Sequence, residues 1–195
     1  MSTRISPLPE AIDGRPWKIE EGLGSCDTVG RVLAVPTDDR ADSRFVRAHE
    51  LAHAKITPRV AAYKQCEKFD VSMDAMQACE DLRVHMYLSR TGVDMCGCFL
   101  GTDDAENFVR RWADDDRRLA LHLVAAMHTD DHERLSRAIE NRLDECRVAY
   151  LRAMTEVVAG RMAYGRGLDR PIGFRNGTIP AARLLDSIFP PDGSP

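Results

Sequence analysis

Apolar positions recur at three- and four-residue spacings over most of the chain, the period of helices with one buried face. Between residues 44 and 56, with no Gly or Pro inside and Pro58 beyond the end, Phe45, Ala48, Leu51, Ala52 and Ile56 form one stripe. Asp42 or Ser43 stands where an N-cap belongs. A shorter helix is predicted over 60–69. A third is predicted over 74–90, with Ser72 as cap, Gly92 as stop, and Met76, Cys79, Leu82 or Arg83, and Met86 along one side. Residues 103–115, 117–128 and 130–159 read as further helices. In the last of these, Leu135, Ile139, Leu143, Cys146, Tyr150, Met154 and Val157 suggest one long stripe.

Strand signals are few. Residues 29–35, β-branched and alternating before Pro36, read as a strand placed at a sheet edge. The Pro and Gly density of residues 1–24 suggests an extended arm, and that of 160–195 a looped segment with one short helix near 181–188. The expected fold is mainly α (α+β): a helical core with one or two short edge strands and additional C-terminal helices. It divides into an arm (1–25), a metal-binding domain (26–160) and a looped C-terminal segment (161–195).

Composition narrows the function. A net charge of −4 gives no electrostatic footprint for nucleic acid or anionic lipid. Residues 1–17 lack the apolar run of a signal peptide, and no segment is long and apolar enough to span a bilayer. A soluble, cytoplasmic protein with reduced thiols is therefore expected. The Cys96-Gly97-Cys98 pair has no second pair at zinc-site spacing nearby. His128 and His132 share a helical spacing, but no Glu follows the first and a helix boundary falls between them.

The chemistry concentrates in His49-Glu50-Leu51-Ala52-His53. Histidines four apart on a helix project from one face and can reach a single ion, leaving the intervening Glu50 as a general base on water. A chain of this composition matches the pattern by chance about 0.01 times. Here the match lies inside a helix predicted independently. A third protein ligand is required. Position 59, where the long metzincin signature needs histidine, holds Arg59. Glu80 on the third helix is the leading candidate, ahead of Glu67, Asp74 and His85. Beside it, Asp81 would accept a ligand ring N–H and Arg83 would steady a carboxylate or face substrate. Tyr87, with His85 and Tyr63 as alternatives, is the candidate for stabilising an oxyanion.

The pair of motifs, HELAH followed by Glu80-Asp81-Leu82-Arg83, resembles gluzincin-type metallopeptidases found among bacterial and bacteriophage proteins. The resemblance covers residues 29–90. It implies Zn²⁺ held by His49, His53 and Glu80, Glu50 as catalytic base, and a peptide or protein substrate. The alternative is a non-catalytic protein, with zinc fastening a zincin fold used in structural or virion assembly alongside protein partners. A phage-encoded chain would then reside in the host cytoplasm or the virion.

Overall fold

The computed structural model describes residues 11, 12, 14–96 and 104–191. The chain is mainly helical with short strands. A small hairpin, β1 (Ala11–Ile12) and β2 (Arg15–Pro16), leads into β3 (Lys18–Glu21), β4 (Ser25–Asp27) and β5 (Val32–Val35). These last three form a sheet in the order β3-β5-β4, with β3 parallel and β4 antiparallel to β5. Along β5 burial alternates, so Leu33 and Val35 point inward, Leu33 packing with Trp17 and Ala54.

Two expectations change here. The strand predicted over 29–35 is shorter and lies in the middle of the sheet rather than at its edge. The expected N-terminal arm supplies both of its neighbours. Those strands, with sequences KIEE and SCD, each turn one half-buried side chain, Ile19 or Cys26, onto the Leu33 cluster and are too short to show a period. At the turn between them Gly24 has φ +130°, and a Cβ there would stand 2.7 Å from Val46 Cγ1 and 3.3 Å from Glu50 Oε1. Glycine lets this turn close directly over the helix that follows.

Among the described residues eight helices follow: α1 (Ala41–Ile56), α2 (Ala62–Phe69), α3 (Met73–Leu88), α4 (Ala105–Arg111), α5 (Asp116–Ala126), α6 (Asp130–Arg142), α7 (Glu145–Ala163) and α8 (Ile179–Ile188), with a π-helical turn at Phe174–Thr178 before the last. Helix α1 starts at Arg40 rather than at Asp42 or Ser43. Asp42 lies in its first turn and accepts the Ser43 N–H instead. Helix α3 is capped by the Ser72 hydroxyl, which accepts from the Ala75 N–H. The long helix expected over 130–159 breaks at Leu143. Asp144 caps α7 through the Arg147 N–H and shifts the buried face to Val148, Leu151, Thr155, Val158 and Met162. Tyr150 and Val157, on the expected stripe, are exposed in consequence.

Helix α3 is the axis of the molecule and touches α1, α2, α5, α7 and α8. It is buried on every side except near its ends and carries Glu80, Arg83 and His85 into the interior. The main core lies between α3 and α4 to α8, and a second cluster of Phe45, Ala52, Ile56, Val84 and Leu88 joins α1 to α3. The C-terminal segment holds the short helix expected near 181–188, here α8, and packs into the core. Phe174, Ile179, Ala181, Ala182, Leu185 and Phe189 are buried, and α8 packs on α3 and α7. Its glycines mark close packing, since a Cβ at Gly177 would lie 2.6 Å from Leu168 and 2.8 Å from the Met162 sulfur. Residues 192–195, with Gly97 and Cys98 of the Cys96–Cys98 pair, fall outside the described residues. The five described cysteines are free thiols.

Because Leu185 is completely buried, Leu185→Ala is expected to destabilise the fold by about 2–5 kcal/mol. Chemical denaturation checks this, and a change near zero would mean that the segment does not pack as described.

Candidate metal centre

Helices α1 and α3 cross so that three acceptor atoms converge. His53 Nε2 lies 3.0 Å from His49 Nε2 and 3.2 Å from Asp81 Oδ1, and the third side, His49 Nε2 to Asp81 Oδ1, is 3.5 Å. Among the described residues, His49, His53 and Asp81 form the one group of His, Cys, Asp or Glu placed to hold a metal ion. The two histidines project from α1 as their spacing predicts.

The third member differs from expectation. Glu80 is turned away from the histidines. Its carboxylate accepts from Arg83 Nε at 2.9 Å and Nη2 at 2.5 Å, from the Thr57 hydroxyl at 2.5 Å and from the Thr178 hydroxyl at 2.6 Å. Consecutive helical residues point about 100° apart, so Glu80 and Asp81 cannot serve the same place. Arg83 is fully buried and takes Glu80 as its counter-ion, which leaves Asp81 facing α1. The places expected of the two acids are thus exchanged. Arg83 steadies a carboxylate but does not face the cavity, donating its remaining bonds to the carbonyls of Leu168, Arg170 and Ile56.

Two hydrogen-bond chains decide which ring nitrogens carry protons. Thr57 donates to Glu80, so its oxygen is left to accept from His53 Nδ1–H at 3.0 Å. That leaves His53 Nε2 with a bare lone pair. On the other side His49 Nδ1 lies 3.1 Å from His85 Nε2, while the His85 ring also bonds the Ala125 backbone. Burial, helped by the neighbouring His49, holds His85 down to a pKa of about 3, so its ring is neutral. With the proton of His85 directed at the Ala125 carbonyl, its Nε2 accepts from His49 Nδ1–H. His49 Nε2 is then also a lone pair. Two imidazole lone pairs and a carboxylate oxygen face one another, an arrangement that needs a cation between them.

Without an ion a proton takes that part. Burial pulls the His53 pKa down, but its contact with Asp81 outweighs burial and raises it. Burial likewise pushes Asp81 up, yet the two histidines hold it well below the usual carboxylate range.

The centre opens into a cavity of about 690 Å³ lined by β4, α1, α2, α3 and Phe174. Glu50 lines it beside His49 and His53, its pKa raised by burial against the opposing pull of both histidines. Cys26 is also in the wall. Burial, then Glu50 and Asp27, push its thiol up to about 12, so it remains protonated. Tyr87 does not line the cavity and packs instead against the α1–α3 cluster of Phe45, Ala52 and Leu88. Tyr63 is exposed on α2, and His85 is the residue behind His49 rather than a ligand. His85 and Arg83 could be read as helical partners, four and three positions after Asp81 and Glu80. Thr178, 98 residues from Glu80, left no such signal.

Comparison with protein-family models, curated proteins and solved structures found no match. No helix among the described residues is long and apolar enough to cross a membrane.

The exchange of Glu80 and Asp81 has separable consequences. Asp81→Asn is expected to lower divalent-metal affinity by more than the roughly 10- to 100-fold typical of an outer hydrogen-bond partner, with the fold retained. Glu80→Ala strands the buried Arg83 charge and should destabilise the protein by about 3–5 kcal/mol while leaving one metal bound at saturation. Metal titration by calorimetry and denaturation of both variants check this. Loss of the metal from Glu80→Ala alone would reinstate Glu80 as the ligand.

Proposed function

We propose that this chain is a zinc-dependent metallopeptidase in which His49, His53 and Asp81 hold the ion and Glu50 is the general base. The observation that carries the reading is the convergence of two imidazole nitrogens and a carboxylate oxygen with Glu50 beside them at the edge of an open cavity. The separations suit zinc. A tetrahedral site with bonds of about 2.0–2.1 Å has donor–donor edges of about 3.3–3.4 Å. The three edges here, 3.0, 3.2 and 3.5 Å, bracket that length. Two imidazoles and one carboxylate leave a fourth position open, the mark of a catalytic rather than a closed structural site.

When bound, zinc supplies Lewis acidity toward a carbonyl and lowers the pKa of water. The chain's own residues do the rest. Glu50, made more basic by burial, takes the proton of the attacking water and passes it to the leaving nitrogen. Thr57 with Glu80, and His85 with Ala125, keep both ligand rings in the tautomer that presents Nε2. Strand β4 ends the sheet and lines the cavity through Cys26 and Asp27, so an extended peptide can add along its outer edge. A second reading, zinc as a fastener without turnover, draws on the same relay, which ties α1 and α3 to residues 168–178.

Glu50→Gln separates the two readings. It is expected to keep stoichiometric zinc and lose about 10²- to 10⁴-fold in peptide hydrolysis, followed on a denatured protein substrate. Zinc bound with activity untouched by that change would sink the proposed mechanism, and zinc bound in a parent that cleaves nothing would favour the fastener.

A further inference from the structure

Helix α2 runs over the cavity with most of its residues in solvent and buries one side chain, that of Gln65. A buried position on an amphipathic helix ordinarily takes an apolar residue, and a buried carboxamide is ordinarily hydrogen-bonded. Gln65 is only 8% exposed and lines the cavity. Among the described residues its side chain forms no hydrogen bond, whereas Thr57 and Glu80 on the same wall are fully engaged.

Part of the cavity wall is apolar. Pro58, Ala61, Ala62, Met76 and Phe174 line the same cavity, and Cys66, the next residue along α2, has its sulfur 3.7 Å from that of Met76. Met76 precedes Asp81 by five residues, about 7.5 Å along the helix axis. This wall and two carboxamides without a hydrogen bond, the buried Gln65 and the exposed Gln77, therefore share one cavity with the place where three acceptors converge, and Gln65 is the one withdrawn from solvent. The carboxylates facing the cavity, Asp27, Glu50 and Asp81, disfavour an acidic group in it, and Glu80 is already matched by Arg83.

We propose that Gln65 is a specificity-determining residue, selecting peptides in which the side chain next to the reacting bond has an apolar stem and ends in a carboxamide. This rests on the peptidase reading above. A carboxamide supplies both a donor and an acceptor, and so satisfies both ends of the Gln65 amide. A hydroxyl reaches both ends only through bent, weaker hydrogen bonds, and a methionine of similar length satisfies neither. Leaving a buried amide unpaired corresponds to about a 10- to 100-fold loss of binding.

The zinc-loaded full chain is titrated with two short peptide hydroxamates, identical except for glutamine or methionine beside the zinc-binding group. The glutamine compound is expected to bind about 10- to 100-fold more tightly to the parent. Gln65→Leu, at unchanged zinc content, should abolish or reverse that preference, and Gln65→Glu should turn it toward lysine. Equal affinities, no binding of either compound, or a preference that survives Gln65→Leu overturns the assignment. Digestion of a peptide library keeps the two proposals apart. Discrimination between hydroxamates without any cleavage refutes hydrolysis and leaves the Gln65 assignment standing. Cleavage indifferent to Gln65→Leu refutes that assignment and leaves hydrolysis standing.

Discussion

A guanidinium with no access to solvent governs the arrangement around it. Arg83 sits in the helix that α1, α2, α5, α7 and α8 pack against, and an uncompensated charge there would be untenable. Three carbonyls and one carboxylate answer it, drawn from three separate stretches of chain. Helical geometry fixes the rest. A counter-ion three positions back faces the same way as Arg83, so the next acid is rotated off toward α1. Asp81 meets the histidines because Glu80 is held elsewhere.

The same network reaches the histidines by a second route. Glu80 takes the hydroxyl proton of Thr57, which obliges Thr57 to accept from His53, while a neutral His85 does the equivalent for His49. One buried cation thus sets both the identity of the carboxylate at the centre and the protonation pattern of one of its imidazoles. The groups that tune the site are accordingly core residues whose loss would be felt in folding as well as in binding. Rigid support of this kind suits a centre whose donor atoms must stand within a few tenths of an ångström of their working positions.

Local pattern sufficed for the helices, the Ser72 cap and the two histidines, because each depends on neighbours within a turn or two. It failed where one acid had to be chosen from two. Glu80 and Asp81 are adjacent and chemically alike, and the choice between them hangs on Arg83 being buried. That burial follows from packing against residues 168–178 and leaves no local periodicity. The pairs three and four apart, Glu80 with Arg83 and Asp81 with His85, were visible as spacings but not as directions. The strands flanking β5 leave no signal because each is three or four residues long with a single inward side chain, too short for an alternation to show. The short helix of the C-terminal segment is legible in the sequence, but its burial is not, because its glycines look like loop signals and are points of close approach. Asp144 interrupts an apolar stripe that looks continuous when counted straight through.

The tie between Glu80 and Thr178 has a consequence for how the protein is made. When residue 81 is added to the growing chain, all three donor atoms of the centre exist, but the Thr178 hydroxyl and the Leu168 carbonyl that orient Glu80 and Arg83 are still about ninety to a hundred residues from being synthesised. An ion captured at that stage would meet a loosely held pair of imidazoles and two competing carboxylates. The hydrogen bonds that orient Glu80 and Arg83 are therefore completed late in synthesis, when the segment that carries Leu168 and Thr178 has docked.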